Sequence, residues 1–150
     1  MTIRLVPIDR RNWEKAVALE VKPHQLGNVG TNVLSLAEVS VRSEARARLI
    51  LNDDEPVGMV VYLKNPEDDK FHVHRFMIDK NYQKQGFGEA ALRLVVDEIR
   101  ALEGFVSPII IEFIDNNVDT QRVYERVGFK DTGRTVYNDE WGFTEKVFEI

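Results

Sequence analysis

Cysteine is absent from the 150-residue sequence. That excludes disulfides, zinc–thiolate sites and a cysteine nucleophile, so an acyl-transfer enzyme built on this chain cannot pass through an acyl-cysteine. Long apolar runs are also missing, and none approaches the length that spans a bilayer. Met1-Thr2-Ile3-Arg4-Leu5 enters an alternating pattern at once, without the apolar core of a signal peptide. A cytoplasmic location with no membrane partner is therefore expected. Positive charge is in deficit: 20 basic side chains against 25 acidic ones give a formal charge of -5. No nucleic-acid partner is expected, because phosphate binding needs a basic face. A cationic substrate is compatible with the balance. What remains is ordinary for a globular protein, with 43 % hydrophobic and 30 % charged residues. The length predicts one domain over 1–150, with a core that needs no staples.

The most informative stretch runs from Phe71 to Leu102. A strand, Phe71-His72-Val73-His74-Arg75-Phe76-Met77-Ile78-Asp79, leads through Lys80-Asn81-Tyr82 into Gln83-Lys84-Gln85-Gly86-Phe87-Gly88. The glycines open a helix, with Glu89 and Ala90 in its first turn. Such a turn suits an anion: glycine lets backbone approach a phosphate, the first helical N–H groups lack internal partners, and the helix dipole adds positive charge. Gly86-x-Gly88-x-x-Ala91 formally fits a dinucleotide-binding fingerprint. That fingerprint expects repeated βαβ units and an acid about twenty positions on. Upstream, however, lie three strand-like segments joined by short turns, and Val106-Ser107-Pro108 holds no acid.

The rest of the chain reads as alternating elements. Ile3 and Leu5 alternate with Thr2 and Arg4, predicting a first strand. Asp9 is placed to cap a helix in which Trp13, Ala16, Val17 and Glu20 share a side, with Trp13 expected in the core. Lys22 to Thr31, with Pro23, Gly27 and Gly30, reads as a loop or a weak helix, and a short helix follows over Val33 to Glu44. Acceptor recognition is expected there, since loops on rigid scaffolds carry specificity. Arg46–Leu51, Pro56–Lys64 and Lys70–Asp79 form a meander, with Val57, Met59, Val61 and Leu63 on one face. Leu92, Val95, Val96, Ile99 and Leu102 make one buried helical stripe, and Glu89 pairs with Arg93 outside. Ile109 to Ile114 reads as a strand covered on both faces. Asn116 or Asn117 caps a short helix that Gly128 stops, and Lys130–Tyr137 with Gly142–Ile150 closes the chain as a hairpin.

Gln83-x-x-Gly86-x-Gly88 resembles the R/Q-x-x-G-x-G/A pattern of the GNAT N-acetyltransferases. Asn117-x-x-Thr120-x-x-Val123-Tyr124-Glu125-x-x-Gly128-Phe129 is similar to that family's N-x-x-A-x-x-L-Y-E-x-x-G-F. The element order β-α-α-β-β-β-α-β-α-β-β covers the whole chain in the same way. The resemblance implies a mixed α+β fold, a mostly antiparallel central sheet flanked by about four helices. Asn12-Trp13, Asn32, Ser35-Leu36-Ala37-Glu38, Arg75 to Asp79 and Tyr82-Gln83 look like the bacterial spermine/spermidine (diamine) branch.

The resemblance also implies acetyl-coenzyme A as co-substrate, with no metal, and direct attack of a small primary amine on the thioester. A polyamine or diamine is the first expectation. Another amine or a non-catalytic coenzyme A-binding module is the alternative, and homodimers are frequent in the family. Backbone N–H groups from Gln85 to Ala90 would hold the pyrophosphate, with Gln83, Lys84 and Asn117 nearby. Phe76, Met77 and Ile78 would pair with the pantetheine arm, Met77 donating to the oxyanion. Tyr124 would protonate the thiolate. For the base, counting back six from Ile78 gives His72, and imidazole titrates near neutrality. His74 lies on the same strand face by period two. The two histidines raise a metal site, but the ligand set is incomplete. Glu112 is the alternative base, or else the ion-pair partner of Arg75. Carboxylates available to a polyamine are Glu20, Glu38, Glu112, Asp115, Asp139 and Glu140.

Overall fold

The computed structural model describes residues 1–26 and 30–150. Gly27, counted above in the loop, lies outside the described residues. Seven strands form one sheet: β1 (Ile3–Pro7), β2 (Ala45–Asn52), β3 (Glu55–Lys64), β4 (Phe71–Ile78), β5 (Ile110–Ile114), β6 (Lys130–Asn138) and β7 (Phe143–Glu149). Their order is β1-β2-β3-β4-β5-β7-β6. Every neighbouring pair is antiparallel except β4 and β5. The helices are α1 (Trp13–Ala18), α2 (Asn32–Val41), α3 (Phe87–Arg100) and α4 (Val118–Val127), with a 3-10 turn at Pro23–Gln25. The expected mixed α+β fold is what forms.

Two apolar clusters sandwich the sheet. Beneath α3 and α4, Val60, Tyr62, Phe71 and Val73 meet Leu92, Val95, Val96 and Ile99. Leu102 falls beyond the helix end at Arg100 and is only partly buried, while these four residues of the α3 stripe lie where its spacing predicts, each at most 3 % exposed. Each such side chain contributes about 1.5–3 kcal/mol by leaving water. On the opposite face, Ala16 of α1, with Leu36 and Val39 of α2, covers Leu49, Met59, Val61 and Met77. Glu89 ties α3 to α4, bonding Arg93 at 3.0 Å and Arg126 at 3.1 Å.

Two bulges change which residues share a face. Ile50 pairs with Gly58 but Leu51 with Pro56, leaving Val57 as the extra residue of β3. Val57 therefore joins Val60 and Tyr62 beneath α3, not Met59, Val61 and Leu63 as strict alternation predicts. In β4, Val61 pairs with Arg75 and Tyr62 with Val73, so His74 is the extra residue. The bulge lets Phe71, Val73, Phe76 and Ile78 all serve the α3 face. His74 and Arg75 both turn to the α2 side, where they reach Glu38.

Three local expectations are corrected. Trp13 is 48 % exposed, because only Ala16 of α1 packs into the sheet. Asn12, not Asp9, is the N-cap of α1. Asp9 instead accepts the Arg11 N–H at its carboxylate and the Trp13 N–H at its carbonyl. α2 begins one residue early, at Asn32, with the Thr31 side chain accepting the Leu34 N–H. Its buried face carries Asn32 and Ser35, while Leu34 and Val41 are exposed.

Candidate active site

β4 and β5 pair at only two places, His72 with Ile110 and Val73 with Ile111. Beyond them β4 continues to Ile78 bonded to β3, and β5 to Ile114 bonded to β7. The parallel pair thus leaves a notch in the sheet, and a cleft of about 730 Å³ opens there, bordered by both strands. Asp79 donates its N–H to Val57 O at 2.8 Å. Antiparallel ladders alternate, so Met77, opposite Met59, turns its N–H toward β3. Phe76 and Ile78 turn theirs away from β3, toward the notch. The Ile78 carbonyl, pointing the same way, accepts from Gln83 at 2.9 Å. The expected oxyanion donor, the Met77 N–H, is therefore already committed to the sheet.

The glycine turn closes one end of the notch. Gly86 is the N-cap of α3 with φ 85°, a left-handed conformation that favours glycine, and a Cβ there would meet nothing within 4 Å. No side chain caps this helix start, leaving the N–H groups of Phe87, Gly88 and Glu89 without helical partners. Gly88 has no such φ, and a Cβ would stand 3.5 Å from Ile78, an ordinary contact. Alanine fits Gly88's place, as the G/A in the motif implies. The turn suits a phosphate on its open face. Gln83 is another matter. Its Nε2 donates to Gln25 Oε1 at 2.8 Å, and Gln25 Nε2 donates back to Gln83 Oε1 at 3.1 Å. Its carboxamide holds protein, which leaves only its backbone for a ligand. Asn117, expected at the cofactor, caps α4 by accepting the Thr120 N–H at 3.3 Å, and it also borders the cleft.

Tyr124 stands in an aromatic seam, 5.2 Å from Phe113, 6.1 Å from Phe129 and 6.5 Å from Phe76 by ring centroid. Its residue is 6 % exposed and borders the cleft. Burial pushes its phenol well up. The bonded hydroxyl that a merely buried tyrosine would show is not found among the described residues.

His72 and Glu112 share a sheet face, since His72 is opposite Ile110 and Glu112 follows two residues later. Both border the cleft. His72 Nε2 is held 2.7 Å from Asp68 Oδ2. Glu112 has no ion-pair partner among the described residues. Burial raises its carboxyl above the usual range and Glu145 raises it further, against the weaker pull of His72. The expected Glu112–Arg75 pair does not form, because Arg75 Nε reaches Glu38 at 3.3 Å instead. Glu38 also takes His74 at 2.8 Å and Arg42 at 3.0 Å, so it is not a free handle for a cationic acceptor. Glu20 holds Lys80 at 3.1 Å. Asp115, Asp139 and Glu140 do not border the cleft, whereas Glu145 does. Sequence reasoning missed Glu145 because its place follows from β7 inserting beside β5, opposite Ile114.

Residues 11–129 match the model of the Acetyltransferase (GNAT) family, and the chain belongs to that family. It is an acetyl-coenzyme A-dependent N-acetyltransferase, and the antiparallel meander β1–β4 has no place in the dinucleotide-binding alternative. Among individual relatives, the chain is 25 % identical to the probable spermine N(1)-acetyltransferase of Bacillus subtilis subsp. natto (strain BEST195), over 93 % of this chain and 95 % of that one. An aminoglycoside acetyltransferase solved with coenzyme A superposes with a TM-score of 0.81 at 12 % identity, over 99 % of this chain and 94 % of that one. The Vibrio cholerae spermidine N-acetyltransferase, solved with coenzyme A and spermine, gives 0.76 at 15 % identity, over 99 % and 94 %. These two structural likenesses establish the fold.

Proposed function

We propose that this acetyltransferase moves an acetyl group from acetyl-coenzyme A to a primary amine of a polyamine or diamine. The observation that carries the reading is the notch between β4 and β5. It presents unpaired strand edge, a bare helix start and a tyrosine hydroxyl without a partner among the described residues, all along one cleft. The names of the Bacillus relative and the Vibrio structure support the acceptor class. So does Glu112, a cleft carboxylate without a cation of its own among the described residues.

In this reading the N–H groups of Phe87, Gly88 and Glu89 hold the pyrophosphate, with Lys84 and Gln85 just before them; Ala90, also expected there, already donates its N–H to Gly86 O at 3.2 Å. The free edge at Phe76 and Ile78 pairs with the pantetheine arm, and Asn117 lies alongside. Glu112 takes the proton from the acceptor ammonium. It is preferred to His72, whose Nε2 already holds Asp68. The neutral amine nitrogen then attacks the thioester carbonyl carbon. The Phe76 N–H donates to the oxyanion, the C–S bond breaks, and the thiolate takes the Tyr124 proton. A cytoplasmic location is part of the proposal.

The test is coenzyme A release followed with a thiol reagent, which meets no protein thiol in this chain. Spermidine, spermine and putrescine are compared with amino acids, aminoglycosides and peptides. Saturable release with polyamines is expected. Release confined to another amine class sinks the polyamine assignment.

A further inference from the structure

The pyrophosphate turn is tied to the segment between α1 and α2. Asp79, 5 % exposed, accepts the Glu20 N–H at 2.9 Å on one oxygen and the Asn81 N–H at 2.9 Å on the other. Lys80 N–H donates to Glu20 O at 2.7 Å. Four residues on, the reciprocal Gln25–Gln83 amide pair joins the 3-10 turn to the first residue of the glycine motif. Gln25 Oε1 also accepts the Lys22 N–H at 3.0 Å, so the same oxygen shapes its own turn. Val21, Lys22, His24 and Gln25 border the cleft across from the glycines.

We propose that the Gln25–Gln83 pair is a latch through which occupancy of the phosphate turn orders the acceptor-side segment Leu19–Leu26. This rests on coenzyme A binding at the glycine turn. The turn contains two left-handed residues, Lys84 at φ 61° and Gly86 at φ 85°, a conformation that lysine rarely adopts. A phosphate bound to the neighbouring N–H groups fixes those dihedrals, and with them the carboxamide of Gln83, which adjoins Lys84. Gln83 has two protein acceptors, Ile78 O and Gln25 Oε1. The first belongs to the rigid sheet and the second to the acceptor segment, so fixing Gln83 fixes Gln25 relative to β4. Ordering entropy supplied at one site is then not required again at the other, which is positive coupling without a change of shape. By reciprocity, an acceptor held by this segment tightens coenzyme A by the same factor. On the scale of one neutral hydrogen bond, that factor is roughly two- to tenfold. Gln25 is a positioning residue in this arrangement and touches no reacting atom.

Amide hydrogen exchange of the full chain, with and without coenzyme A, tests the latch without reference to any acceptor. In the wild type, coenzyme A is expected to slow exchange over both 81–90 and 19–26. In Gln25→Ala it slows 81–90 alone, with circular dichroism unchanged. Gln25→Glu keeps the acceptor for Gln83 Nε2 but loses the returning donor, and restores part of the protection over 19–26. Protection over 19–26 that persists in Gln25→Ala, or is missing from a wild type protected over 81–90, overturns the proposal. A wild type unprotected over 81–90 removes the coenzyme A reading of the turn, and the latch with it.

Discussion

His74 Nε2 lies 2.8 Å from Glu38 Oε1, joining the extra residue of the β4 bulge to the middle of α2. Burial lowers the imidazole pKa, and the nearby Glu38 carboxylate opposes that without reversing it. Glu38 itself stays ionised: burial raises it, but His74, Arg42 and Arg75 together bring it below the usual range. Glu38→Gln removes the attraction and leaves the burial, so the His74 pKa is expected to fall further, read from its NMR titration. With the folded pKa below the unfolded value near 6.5, the unfolded chain binds more protons, and stability declines as pH falls below about 6.5. An imidazole pKa that rises in Glu38→Gln contradicts this account.

Among the described residues the Tyr124 hydroxyl has no hydrogen-bond partner to lose. Tyr124→Phe is expected to keep the melting temperature and the coenzyme A affinity while kcat drops by about 100-fold or more. Unchanged turnover would remove Tyr124 as the proton donor. A collapse of melting temperature would mean that the hydroxyl has a structural partner after all.

A raised carboxyl on Glu112 moves the acid limb of the pH–rate profile above the usual carboxylate range. The base works deprotonated, so kcat/KM should fall as pH drops through that raised value. Glu112→Gln is expected to flatten the limb and lower kcat/KM by roughly 100-fold. His72→Gln should keep the limb and move it slightly upward, because the imidazole's pull on Glu112 is lost. The opposite pattern would transfer the role to His72.

Two glycines of one motif should respond differently to alanine. Gly86→Ala meets no clash but must hold φ near 85°, at a cost of about 1–2 kcal/mol. Roughly tenfold weaker coenzyme A binding is expected by calorimetry. Gly88→Ala, with only an ordinary contact to Ile78, should bind as the wild type does. Equal losses at both positions would refute the conformational argument.

Asp79 is a buried carboxylate whose two oxygens serve two backbone N–H groups. Hydrogen bonds to charged groups are the stronger kind, so Asp79→Ala is expected to cost about 2–3 kcal/mol in urea unfolding. A loss below about 0.5 kcal/mol would show that water replaces the carboxylate freely.

Most of the fold was legible because its signals are local. The α3 stripe, the Asn117 cap and the Gly128 stop each follow from residues a few positions apart. The errors arise where pairing between distant segments decides the outcome. Nothing in Pro56–Lys64 announces that Val57 is an extra residue, because a bulge is a property of two strands. Trp13 has helical spacing, yet α1 spans only Trp13–Ala18 and lays only Ala16 against the sheet. At the site, the glycine motif and Tyr124 were readable as residue patterns. The direction of the Met77 N–H, the Gln83 carboxamide and the Arg75–Glu38 pair were not, since each depends on register or on a partner at least 37 residues away in the last case.

Two rungs between β4 and β5 have a mechanical consequence. The sheet is in effect two plates, β1–β4 and β5-β7-β6, joined near one corner and bridged by rings at the other. Phe76 belongs to the first plate, Phe113 and Phe148 to the second, and Tyr124 is the spacer between them. Edge-on ring contacts, 6.5 Å from Phe76 to Tyr124 and 5.2 Å from Tyr124 to Phe113, thus bridge the mouth where backbone bonds between the two strands are missing. Trimming a ring should narrow or slacken the jaw while leaving both plates intact.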